Sequence, residues 1–254
     1  MAQESVYSGL AIAFYQAGRL REAADSFKKA RNVAGQLGNR HAKARYTADL
    51  GAIFITEKEP KAAEPLLQEA LDTFRYIGDK EWEYRVLTNM IKTHWLNGDR
   101  EKSMQAVEQA LSALAPKSHA EKAELFGQVA QLWLGDVAEL KQASYYFKRQ
   151  LSQMKRINNM EALARHSAIA GAALAQAGGF KLSIPFYTRA IEIYRSANDD
   201  HMIFHTLNDR AIAYSDLGRY EKSIADFELC MDIAEKHEDR VMRLQTLLNW
   251  GETT

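Results

Sequence analysis

His201, His205 and Asp209 follow one another at four-residue intervals, which stacks two imidazoles and a carboxylate along one face of a helix. Those are zinc-ligating groups at a usable spacing. A zinc site also needs a further ligand and a supporting shell, and the sequence points to neither, so the trio does not read as a metal centre. Two other pairs share the interval, Arg45 with Asp49 and Arg85 with Asn89. An Asn amide both donates and accepts, which suits a peptide backbone, and a guanidinium forks onto a carboxylate. Taken singly, such neighbours are solvated surface pairs worth about 0.2–0.5 kcal/mol. Catalytic constellations are missing: no G-x-S-x-G, phosphate loop, G-x-G-x-x-G, H-E-x-x-H or C-x-x-C occurs. An enzyme is not expected, nor a bound cofactor.

Composition excludes further classes. Lys plus Arg and Asp plus Glu number 33 each, so the chain lacks the excess positive charge on which non-specific nucleic-acid binding relies. The sole cysteine, Cys230, rules out a disulfide within the chain, and its place among alanines marks it as a buried, inert thiol. No apolar run approaches the roughly 20 residues that span a bilayer, so membrane insertion is not expected. The start, "MAQESVYSGL", has no basic segment leading into an apolar one. A cytoplasmic protein is the expectation.

What positions the candidate groups is a repeat. Sliding the chain by 40 residues aligns Phe27, Leu67, Val107, Phe147, Tyr187 and Phe227 in one column. The same shift aligns the small residues Ala23, Ala63, Ser103, Ala143, Ser183 and Ser223 in another. Gly18, Gly98, Gly178 and Gly218 also fall in register, with Lys58 and Ala138 as exceptions. A fixed period of this length marks a stacked array. Each unit reads as two helices. Tyr7, Leu10, Ala11 and Phe14 stripe the first, and Leu20, Ala23, Phe27 and Ala30 stripe the second. Gly38, Gly78, Asn158 and Asn198 suit the left-handed close of a helix, and Asn39, Asp79, Asn159, Asp199 and Asp239 suit the cap of the next. The chain is all-α: one array over residues 1–254, with repeats at about 4–38, 39–78, 79–118, 119–158, 159–198 and 199–238 and the start of a seventh at 239–254. Repeat four fits one residue early, on Phe126, Val129, Ala130 and Trp133, which predicts an extra residue in its "GDVAE" turn.

The combination of "GR", an apolar residue and "EAADSFKKA" resembles the tetratricopeptide repeat (TPR) family. The likeness covers nearly the whole chain, and the longer period is similar to that of kinesin light chains and Pins-type polarity scaffolds. Pro60, Gln150 and Arg210 depart from the pattern. The resemblance implies a right-handed superhelical solenoid of antiparallel helix pairs whose first helices line a concave groove. One groove column then reads Gly9, Asp49, Asn89, Gln128, Ile169, Asp209 and Asn249, and one turn earlier lie Ser5, Arg45, Arg85, Glu124, Arg165, His205 and Gln245. Lys92 and an exposed Trp95 beside Arg85 extend the surface, while His94, Trp133 and Trp250 read as core. The implied peptide-binding set is Arg45, Asp49, Arg85, Asn89, Lys92, Trp95, Gln128, Arg165, His205 and Asp209. Groove charges sum to +2 in repeats one to three and −2 in repeats four to six, which places an acidic ligand segment against the first half. The Lys-x3-Asn of the carboxylate-clamp relatives is missing.

A scaffold that binds an extended or helical peptide is therefore expected, with a sensor domain governing an attached signalling or DNA-binding effector as the alternative. The array has no polar cap at either end. That suggests a fragment of a longer protein or self-association through the uncapped ends.

Overall fold

The computed structural model describes residues 2–135 and 139–252. Among the described residues there are thirteen helices and no strand. In chain order they are α1 (Ala2–Gln16), α2 (Leu20–Gln36), α3 (Arg40–Thr56), α4 (Pro60–Ile77), α5 (Lys80–Leu96), α6 (Arg100–Ala113) and α7 (His119–Trp133). There follow α8 (Leu140–Ile157), α9 (Met160–Gln176), α10 (Phe180–Ser196), α11 (Asp200–Asp216), α12 (Tyr220–Lys236) and α13 (Arg240–Glu252). The chain divides into two compact units, Met1–Ser118 and His119–Thr254. In each unit consecutive helices pack as hairpins.

The punctuation is local chemistry. Gly38, Gly78, Asn158, Asn198 and Glu238 all carry positive φ after a hairpin's second helix. The following residue then does two jobs. The backbone amides of Asn39, Asp79, Asp199 and Asp239 return to carbonyls five residues back, at 2.9–3.0 Å, closing one helix. Their side chains accept from the amides of Ala42, Trp82, Met202 and Met242 at 3.0 Å, opening the next. Inside the hairpins, Lys58 takes the same left-handed conformation (φ 60°) that the aligned glycines take elsewhere. Pro60 opens α4, where its missing N–H costs nothing. The predicted extra residue in "GDVAE" lies outside the described residues.

Packing follows the columns. All six residues from Phe27 to Phe227 are buried, as are the six small residues from Ala23 to Ser223. Where the small residue is Ser103 or Ser223, its hydroxyl donates to the carbonyl of Ile91 or Ala211 on the partner helix, at 2.9 and 2.8 Å. Close approach is marked at three glycines of first helices, Gly51, Gly127 and Gly171. A Cβ on Gly51 would lie 2.7 Å from Leu67, and one on Gly171 would lie 2.8 Å from the Tyr187 ring. Gln150 is accommodated in the same way, because its amide occupies the space a side chain on Gly127 would need.

Arg210 breaks the apolar stripe for a defined reason. It forks onto Asp226 at 2.8 and 2.7 Å and donates to Thr188 Oγ1 at 2.9 Å; Asp226 is buried and Arg210 half-buried. Trp250 stacks on Phe227, centroids 6.0 Å apart. Trp133 is half-buried. Cys230 is fully buried, its thiol near the Phe204 carbonyl and pushed up to about 12 by burial.

Candidate functional site

Unit 1 presents a groove of about 630 Å³ between its first helices. From α3, Arg45, Asp49 and Ala52 face it, because positions four and three apart share one helical face. Helix α1 contributes Ile12, Tyr15 and Gln16, and α5 contributes Trp82 and Arg85. The guanidinium of Arg85 lies over the Trp82 ring at 4.4 Å, and that of Arg45 lies 5.2 Å from the Tyr46 ring. Trp82 is itself held by stacking on Phe74, centroids 5.4 Å apart, with His41 set edge-on.

The electrostatics of this groove are unfinished. Burial pushes the Asp49 carboxyl up to about 6, and the positive charges of Arg45 and Arg85 oppose that rise without overcoming it. No ion pair within 4 Å joins Asp49, Arg45 or Arg85 to any partner among the described residues. The two cations thus face the groove over aromatic rings, available to an incoming anion.

Unit 2 carries a smaller groove of about 270 Å³ between α9, α10 and α11. Ala172, Ala175 and Gln176 of α9, Phe180 and Tyr187 of α10, and Ile212 and Ala213 of α11 line it. Asp209 is the one charged side chain lining it among the described residues. Its carboxylate keeps contact with solvent at the mouth, yet protein atoms crowd its other sides, and that crowding pushes the carboxyl up to about 6.

The remaining expected contacts have other surroundings. Asn89 is half-buried and Lys92 exposed on α5, and neither lines the unit 1 groove. Trp95 is half-buried rather than exposed, with the Arg100 guanidinium 3.4 Å above its ring; the ring that carries Arg85 is Trp82. Arg165 pairs with Glu161 at 2.6 Å, and Gln128 donates to Glu124 at 3.1 Å. His205 meets His201, nitrogens 3.3 Å apart, and burial followed by the His201 charge lowers its pKa. Among the described residues no group of three His, Cys, Asp or Glu side chains converges as metal ligands would. His94 is buried, 3.7 Å from Glu64.

Sequence reasoning passed over Ile12, Gln16 and Trp82. The first two continue the face of α1 that carries Ser5 and Gly9, one and two turns further on, so helical spacing alone would have found them. Trp82 precedes Arg85 by three residues, a signal that is legible only once the two helices beside it are known.

The TPR family profile matches residues 3–76 and 161–236, more than half of the sequence, and the chain belongs to the tetratricopeptide repeat family. No curated protein sequence matches it significantly. Solved structures share the fold at low identity. BtubC (BKLC) from P. vanneervenii is 17% identical with a TM-score of 0.55, over 87% of this chain and 91% of that one. A signal-transduction ATPase with a tetratricopeptide repeat sensor from Pyrococcus horikoshii is 11% identical with a TM-score of 0.65. That match covers 98% of this chain but only 38% of the ATPase. The Rap conjugation gene regulator of plasmid pLS20, solved with the Phr* peptide, is 13% identical with a TM-score of 0.52, over 91% and 64% of the two chains. The fold is an all-α repeat solenoid, and no helix among the described residues is long and apolar enough to cross a membrane.

Proposed function

We propose that this chain is a non-catalytic protein-interaction module and that its unit 1 groove binds a peptide segment bearing a carboxylate. One observation carries the reading. Arg45 and Arg85 face a common groove, each laid over an aromatic ring, and neither is neutralised by an ion pair of its own. A guanidinium pre-positioned on an aromatic face loses little freedom when it forks onto a carboxylate. Trp82, Tyr15 and Ile12 supply apolar surface beside the charges, so polar contacts fix register while aromatic contacts add affinity. Asp49 accepts a peptide N–H or, when protonated, donates.

The test is an array of synthetic peptides, capped at both termini, screened for binding to the wild-type chain and to R45E/R85E. Glu- and Asp-containing peptides are expected to bind the wild type and to lose about 100-fold or more in affinity for the variant, while its thermal unfolding changes little. Equal affinity for both proteins would remove the groove assignment.

A second reading, a sensor module that governs an effector in the same polypeptide, draws support from the likeness to the P. horikoshii ATPase, whose repeats are described as a sensor. It requires peptide binding to alter the state of an attached domain, whereas a scaffold requires only capture.

A further inference from the structure

The unit 2 groove repeats the unit 1 groove four periods later. A shift of 160 residues carries Asp49 onto Asp209, Gln16 onto Gln176 and Phe27 onto Tyr187, and all of these line their respective grooves. The copies differ in charge and in room. Where unit 1 has Arg45 the second copy has His205, and where it has Arg85 the second copy has Gln245. Neither borders the unit 2 groove, and His205 is turned to His201. On the first-helix wall, Ile12 and Tyr15 give way to Ala172 and Ala175. The carboxylate is thus kept, its flanking cations are deleted, and the wall beside it is cut back.

A carboxylate without a positive partner, at the end of a short apolar trough, is complementary to a long side chain that ends in a cation. Asp209 has no hydrogen bond or ion pair among the described residues. The volume suits one side chain rather than a length of backbone, being less than half that of unit 1. We propose that the unit 2 groove receives a lysine or arginine side chain of a peptide, its stem lying against Ala172 and Ala175 and its charge meeting Asp209. This rests on the protein-interaction reading above, but not on the two arginines of unit 1.

The experiment uses capped heptapeptide libraries with randomised flanks and a fixed central Lys, Arg, norleucine or Glu, captured on the immobilised full chain. The Lys and Arg sets are expected to be enriched about 10-fold over the norleucine set. The enrichment should vanish for D209N and also for A175F, which keeps the carboxylate but fills the trough. Thermal unfolding of both variants shows whether they fold, and a norleucine set with a free amino terminus reports on a terminal amine. No preference for Lys or Arg on the wild type, preference that survives D209N, or enrichment confined to the free-amine set would each overturn the proposal. The Glu set, compared on wild type and R45E/R85E, reports on unit 1 separately.

Discussion

At Arg210 a charge replaces the Leu10, Leu50 and Met90 of earlier repeats, and at Asp226 a second charge replaces Leu66 and Ala106. The two substitutions are one event, since the half-buried guanidinium pairs with the buried carboxylate. Removing one partner strands the other, so Arg210→Met should destabilise the chain by about 3–5 kcal/mol. The double change R210M/D226L should recover most of that loss, because an apolar pair of similar volume is often neutral or better. Chemical denaturation of the three proteins checks both statements. Asp49 makes a different prediction. Its folded carboxyl titrates near 6 against an ordinary value of 3.8, so the folded state holds the proton more tightly than the unfolded chain does. Stability attributable to this group is therefore full below about pH 4 and is lost as pH rises through 6, on the order of 3 kcal/mol in all. Asp49→Asn should abolish that component, measured as the difference between wild-type and variant unfolding free energies from pH 4 to pH 7.

At the scale of helices and turns, the fold was legible wherever the signal is local. Positive φ at Gly18, Gly38, Gly78 and Asn158, and caps at Asn39, Asp79 and Asp239, follow from residue types that favour those conformations whatever surrounds them. The buried columns followed from helical spacing. Lys58 was visible only as a gap in a glycine column, and the structure shows the strain behind it. Lys58→Gly should stabilise unit 1 by about 0.5–1 kcal/mol, since relief of a left-handed non-glycine residue exceeds the added freedom of the unfolded chain. The opposite holds at Gly171. A methyl group there meets the buried Tyr187 ring, and Gly171→Ala should cost about 1–3 kcal/mol through overpacking. Thermal melts of the two variants should move in opposite directions. What spacing could not show is which partner a side chain chooses. Arg165 turns to Glu161 and Trp95 lies beneath Arg100, because pairings within and beside a helix compete with the groove for the same groups.

For the whole molecule, each unit carries its own groove, and the two differ in charge while sharing a carboxylate at the same repeat position. Of the charged residues that the sequence placed on the groove, Arg45, Asp49 and Arg85 line the unit 1 groove and Asp209 lines that of unit 2. In unit 1 two arginines face one carboxylate, and in unit 2 a single carboxylate stands without a cation. Both proposed contacts are charge-based and partly exposed, so affinity for a charged peptide should fall as salt rises, whereas folding stability should change little. Titrations at low and high ionic strength read this directly.

The proposed grip of Arg45 and Arg85 on a ligand carboxylate is open to direct measurement. A double-mutant cycle measures it: one bound peptide and its Glu→Gln form, each titrated calorimetrically against wild type and R45A/R85A. A coupling of about 1.5 kcal/mol or more is expected between the peptide carboxylate and the arginines. Additive losses, with coupling indistinguishable from zero, would contradict it.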